Sequence, residues 1–315
     1  MLFKGVAAMQ RFVKSFFLLV FSIICIPSAT HSQNPKLVFS TLLGGSGGDG
    51  GYDQKIVVDK QKCINIMGVT QSIDFPVTPG AYDSTFISSE NMFVIKLDPS
   101  GSSIIYSTFL AGSGREKPTG FQVDDEGNAY ISGTTGSVGY PRTPGTYFSD
   151  VYFDPQEIYD RVFLTKINPS GSALVYSIVF GNAKQLLYVR GRFLGLDGEG
   201  HAYVVGDATV GEIETTPGAL QEKPPDVKDV FSRPFICKFS KDGSKLEYAT
   251  YFGGPTRGPR VDCFTVDQKG NTYLAGGYAS GDFPITENCY SSNPVIPPAF
   301  HFFRKIDPFG SQLIY

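Results

Sequence analysis

The chain has 315 residues, a formal net charge of −3, 18% charged residues, 36 Gly, 21 Pro, 26 Phe, 17 Tyr and no Trp. A balance so sparse in charge and slightly negative removes the electrostatic case for nucleic-acid binding. Abundant Gly, Pro and aromatics argue against a helical fold and for many short strands joined by tight turns.

Residues 1–32 read as a secretory signal peptide. Lys4, Arg11 and Lys14 form a positive start, "FFLLVFSIICI" (16–26) is an apolar run, and Thr30 and Ser32 are small residues at a cleavage site. The run is too short to cross a bilayer core, which needs about 20 residues. Ile24, bulky before Cys25, speaks against a lipoprotein. The expected location is therefore secreted or at the cell surface, with no membrane span in the mature chain. An oxidising compartment permits disulfides among Cys63, Cys237, Cys263 and Cys289, which allow three pairings or stay as buried thiols. Their spacing matches no metal motif.

The next segment, "LVFSTLL" (37–43), alternates as a strand does, and "GGSGGDG" (44–50) follows it. Gly45, Gly47 and Gly50 fit a dinucleotide loop, while Gly44, Ser46 and Gly48 fit a serine-hydrolase elbow. Both signatures require a helix next, but "GYDQKIVVD" (51–59) is a strand pattern. The sister stretches "AGSGREK" (111–117), "FGNAKQL" (180–186) and "GGPTRGP" (253–259) keep neither signature. The heptad is thus a connecting loop.

A repeat organises the remainder. "FVIKLDPSGS" (93–102), "FLTKINPSGS" (163–172), "FICKFSKDGS" (235–244) and "FFRKIDPFGS" (302–311) place Gly101, Gly171, Gly243 and Gly310 at steps of 70, 72 and 67 residues. An aromatic strand follows each glycine turn, as in "IIYSTFLAG" (104–112). "VDDEGNAYISG" (123–133) and its sisters come next, then Thr78-Pro79-Gly80, Thr143-Pro144-Gly145 or Thr216-Pro217-Gly218. Asp followed by Gly-Asn suits a tight hairpin, and Asp-Pro-Ser-Gly suits a type I turn. The run 93–97 is apolar on both faces apart from Lys96, so its sheet must lie between neighbours. Repeated four-stranded antiparallel sheets packed face to face make a β-propeller, with blades expected at 37–102, 103–172, 173–244 and 245–311 and the start of a fifth at 312–315.

The elements "D-x-x-G-N-x-Y-x-x-G" (124–133), "FP-x-TPGAY" (75–82), "F-x-x-K-x-DPSGS" (93–102) and "Y-S-T-x-x-GG" (106–112, with Ala111 for the first glycine) together resemble the bacterial SBBP repeats, the seven-bladed β-propeller family. The resemblance covers the whole mature chain and implies an exported propeller without a fixed catalytic set. Seven blades of this period need about 480 residues, so the four repeats read as a truncated or incomplete propeller.

Antiparallel strands place the connectors 44–53, 112–120, 181–192 and 253–260, with the Thr-Pro-Gly loops, at one end of the sheets. Long variable loops on a rigid scaffold carry function, which makes that end the expected ligand face. Arg115, Lys117, Lys184, Arg190, Arg192, Arg257 and Arg260 are candidates for an anionic glycan or partner carboxylates, beside a reading as solvated charge. Asp49 and Asp53 are candidates for Ca²⁺, though they lack the EF-hand spacing, and no other cofactor is expected. The mature chain has only His201 and His301; His201 replaces Asn128 and Asn271 in a hairpin, and no catalytic motif survives comparison of the repeats. The expectation is a non-enzymatic binding or scaffold module for a surface protein or glycan. The alternative is a secreted hydrolase or lyase acting on polysaccharide in the propeller mouth.

Overall fold

The computed structural model describes residues 37–50, 54–147, 160–181, 189–208, 213–223, 233–254, 259–278, 283–287, 289–290 and 300–315. Residues 1–32, expected as a signal peptide, lie outside them. All strands belong to the unit Thr41–Tyr315. Among the described residues the fold is all-β, and no helix is long and apolar enough to cross a membrane.

The first sheet holds β1 (Lys55–Val58), β2 (Ile64–Thr70), β3 (Asn91–Leu97) and β4 (Ile104–Phe109) in that order. The second holds β5 (Glu116–Val123), β6 (Ala129–Thr135), β7 (Arg161–Ile167) and β8 (Leu174–Phe180). The third holds β9 (Val189–Leu196), β10 (Ala202–Ala208), β11 (Arg233–Phe239) and β12 (Leu246–Tyr251). The fourth holds β13 (Arg260–Val266), β14 (Thr272–Tyr278) and β15 (Phe300–Ile306). Every pairing is antiparallel, as a propeller of meandering blades requires.

The expected blade boundaries are displaced by one strand. The aromatic strand after each glycine turn closes the sheet it leaves: Lys96 pairs with Tyr106 and Lys166 with Tyr176. Residues 37–43, expected as a strand, form no ladder, and Leu37, Val38 and Leu42 are exposed. The physical reason is that a two-residue period sets which face a side chain occupies but not which neighbour the backbone pairs with.

The cores lie between successive sheets. Met67, Val94 and Tyr106 of the first sheet share a cluster with Phe121, Ile131 and Val179 of the second. Tyr130, Leu164 and Ile178 of the second pack with Val204, Cys237 and Tyr251 of the third. β3, β7 and β11 are buried along their whole length, as a strand apolar on both faces demands.

Candidate functional site

The repeated motifs are absorbed by structure. At the hairpin end, the Asp124 carboxylate accepts the Asn128 backbone N–H at 2.8 Å, the Asn128 side-chain amide and the Tyr130 hydroxyl at 3.1 Å, and pairs with Lys166 at 3.3 Å. Asp59 with Asn65 and Lys96, and Asp197 with His201, Tyr203 and Lys238, repeat this clasp. His201 therefore does the work of its sister asparagines, and its Nδ1 lies 3.0 Å from Asp197 Oδ2.

The Thr-Pro-Gly segments lie along the outer strand edges and are not free loops. Thr78 donates its backbone N–H to Ser107 O at 3.1 Å and accepts the Ser107 N–H on its hydroxyl at 3.0 Å, while Phe109 donates to Asp83 O at 2.9 Å. Thr143 with Ser177, and Thr216 with Ala249, repeat the arrangement. The same segments reach the following sheet: Tyr82, Tyr147 and Leu220 donate backbone N–H groups to the carbonyls of Gly171, Gly243 and Gly310 at 2.8, 2.8 and 2.7 Å. Coverage of this kind protects an edge that would otherwise seek another strand.

The other end carries the candidate residues. Asp53, Lys184 and Arg257 lie outside the described residues. Asp49 Oδ2 accepts the Gly45 N–H at 2.6 Å and the Ser72 hydroxyl at 2.7 Å, and Oδ1 accepts the Thr70 hydroxyl. Burial works to raise its carboxyl, but these donors outweigh burial and hold it below the usual range. Glu116, which the sequence did not single out, has the same role in the second sheet, accepting the Thr135 hydroxyl at 3.0 Å and the Ser137 hydroxyl. It is 3% exposed, and there burial wins and pushes the carboxyl up. The recurrence of Thr70-x-Ser72 as Thr135-x-Ser137 was the available sequence signal.

Lys117, Arg190, Arg192 and Arg260 sit on the first strands of their sheets and not in connectors, because those strands begin earlier than the hydrophobic pattern indicates. First strands of neighbouring sheets pack together: the Thr119 hydroxyl donates to Gly191 O at 3.0 Å, and Gln122 Nε2 to Leu194 O at 3.4 Å. This contact brings Lys117 and Arg190 to one carboxylate, Asp160, at 4.0 and 3.8 Å. Arg192 pairs with Asp207, whose Cα partner across the ladder is Arg190. Arg115 pairs with Glu90 at 3.3 Å and Arg260 with Asp262 at 2.8 Å. Each described candidate cation thus has a carboxylate, and the expected unbalanced positive patch is a network of mixed sign.

The network is where the repeat breaks. Asp207 stands where β6 has Thr134 and β14 has Gly277, and Arg192 stands where β5 has Thr119. Asp207 is 1% exposed, whereas the side chains of Arg190 and Arg192 remain about half open, at 50% and 44%. Among the described residues no group of three or more His, Cys, Asp or Glu side chains is placed to hold a metal ion. Among the described residues Cys63, Cys237, Cys263 and Cys289 are free thiols, Cys63 and Cys237 buried and Cys263 exposed.

No family model and no curated protein matches the chain. Among solved structures, it is similar to a Glu150Gln mutant of the Synechocystis apocarotenoid oxygenase, with 9% identity and a TM-score of 0.39 over 83% of this chain and 48% of that one. An ACO/RPE65 chimera has 11% identity and a TM-score of 0.38 over the same shares. The chain spans about half the length of these structures.

Proposed function

We propose that the chain is an exported β-propeller repeat protein, akin to the bacterial SBBP repeats, that acts as a non-enzymatic binding or scaffold module. Its binding surface is the end formed by the first strands and sheet-to-sheet connectors, centred on Lys117, Asp160, Arg190, Arg192 and Asp207. The observation that carries this reading is the unrepeated network of Lys117, Asp160 and Arg190 with Arg192 and Asp207 at that end, while the repeated motif residues are used in clasps and sheet-to-sheet bonds.

The chemistry suits a ligand offering both hydroxyl or amide donors and anionic acceptors, as an acidic glycan or a protein surface does. The Arg190–Asp160 pair is partly exposed and such pairs contribute only about 0–1 kcal/mol, so Arg190 exchanges partners at little cost, while Arg192 is held in place by the buried Asp207. Guanidinium forks then bind carboxylate or sulfate with two parallel hydrogen bonds.

A glycan array spanning uronic-acid, sulfated and neutral chains, probed with the protein and with an Arg190→Ala/Arg192→Ala variant, tests the proposal. Acidic-glycan binding reduced at least tenfold in the variant is expected. Equal binding by both proteins moves the site elsewhere, and release of new reducing ends from a bound polysaccharide replaces the binding reading with the hydrolase.

A further inference from the structure

One carboxylate, Asp160, is shared by cations from two sheets. Lys117 on β5 and Arg190 on β9 hold matching positions, opposite Thr134 and Asp207 in their ladders. Their backbones are fixed. A β-bulge interrupts each ladder just beyond them, between Pro118 and Gly120 in the second sheet and beside Gly206 in the third. Only glycine fits opposite each bulge, since a Cβ at Gly133 would overlap Lys117 O and one at Gly206 would overlap Arg190 O. The bond from the Thr119 hydroxyl to Gly191 O then locks the two strands together. Bulges of this kind re-aim side chains, and here both head groups reach water: the Lys117 and Arg190 side chains are 46% and 50% exposed.

The carboxylate between them is loosely seated. Asp160 Oδ2 lies 4.0 Å from Lys117 Nζ and 3.8 Å from Arg190 Nε, beyond the about 2.7–2.9 Å of a charge-assisted hydrogen bond. Glu90 precedes β3 as Asp160 precedes β7, and it bonds a cation of the next sheet, Arg115, at 3.3 Å. Aspartate, one methylene shorter, stands between two cations and comes within hydrogen-bonding distance of neither. Among the described residues the network sets three cations, Lys117, Arg190 and Arg192, against two carboxylates, Asp160 and Asp207. Buried Asp207 matches Arg192, so the surplus positive charge belongs to the Lys117–Arg190 pair.

We infer that the seat of Asp160 is a carboxylate subsite, and that a uronic-acid group of an acidic glycan displaces Asp160 from it. This rests on the binding role proposed above and names the ligand group and the residue that competes with it. Carboxylate is the chemistry already placed between the two cations. A ligand carboxylate, free of the β7 backbone, can approach both at the bonded distance that Asp160 does not reach. A glycan is favoured over an acidic peptide, because protein interfaces depend on buried aromatic or aliphatic anchors and β5 and β9 expose no large apolar side chain. Asp160 is thus an internal competitor that lowers the affinity of the cation pair until it is displaced.

Calorimetric titration with oligomers of galacturonic, glucuronic and mannuronic acid tests this, with neutral galactose oligomers and an aspartate oligopeptide as comparators. Asp160→Asn, which keeps the side-chain shape and removes the charge, is expected to bind the preferred uronate oligomer about fivefold tighter than the parent, the effect of losing an exposed ion pair as competitor. Asp160→Ser repeats the removal, so a folding defect peculiar to one variant is recognised by circular dichroism. Glu126→Gln removes the same charge from the hairpin end, where Glu126 is 62% exposed beside Lys241, and is expected to change affinity by less than about twofold. Arg190→Ala added to Asp160→Asn is expected to abolish the gain. Uronate binding that requires Arg190 but is unchanged or weakened in both Asp160 variants overturns the inference and leaves the binding role standing. A gain equalled by Glu126→Gln, a parent that prefers the peptide, or equal binding of neutral and acidic oligomers does the same. Absence of binding to every oligomer by parent and variants overturns both.

Discussion

The Tyr106 ring of one sheet lies against Gly171 in the turn of the next, so closely that a Cβ at Gly171 would fall 2.2 Å from Tyr106 Cδ2. Tyr176 with Gly243 and Tyr248 with Gly310 repeat the contact. Gly171 also has φ of +67°, so a side chain there meets backbone strain and a clash together. Gly171→Ala is expected to destabilise the protein by roughly 3 kcal/mol, as the sum of the left-handed penalty and overpacking. Gly80 has φ of +77° but open space around it, and Gly80→Ala should cost only about 1 kcal/mol. Urea unfolding midpoints of the two variants separate the terms; equal losses would show that the tyrosine contact contributes nothing.

The hairpin clasps predict acid sensitivity. Burial works to raise the carboxyls of Asp59 and Asp124, but the lysine and asparagine donors outweigh it, and both lie below the ordinary 3.8 when folded. A folded value below the unfolded one gives stability that is complete above the unfolded value and lost as pH falls through the folded value. Unfolding free energy should therefore decline as pH drops below about 5. Lys166→Met, which leaves Asp124 buried without its cation, should cost about 3 kcal/mol at pH 7. Adding Asp124→Asn should recover part of that loss, and no recovery in the double variant would refute the pairing.

Glu116 predicts the opposite sign. Its folded value is raised above 4.5 by burial, so its contribution is present below the unfolded value and lost as pH rises through the folded one. Glu116→Gln should be more stable than the parent at pH 7 and no more stable at pH 4. A loss of stability at pH 7 would show that the ionised carboxylate, and not its neutral form, holds Thr135 and Ser137.

His201 occupies a clasp built for asparagine, with the same Asp197 acceptor and the same backbone bond. His201→Asn should change stability by no more than about 0.5 kcal/mol and leave glycan binding unaltered. A larger effect on binding than on stability would give this histidine a role outside the clasp.

Much of this was legible in the chain itself. The glycine steps, the Asp-x-x-Gly-Asn hairpins and the doubly apolar strand 93–97 led to an all-β propeller of stacked four-stranded sheets, because turn chemistry and strand period are local properties. The same locality hid the rest. A strand has two edges, so the sequence could not say that residues 104–109 close the sheet before them, nor that residues 37–43 would be left without a ladder. Arg190 was visible as a cation, but Asp160, which faces both it and Lys117, is distant in sequence. Glu116 and Arg304 looked like ordinary charged residues until packing withdrew them from water. The sequence determined the period, the turns and the alternation of faces, which depend on each residue and its near neighbours. Only the tertiary structure decided which edges pair and which charges meet, because those are settled by contacts between residues tens of positions apart.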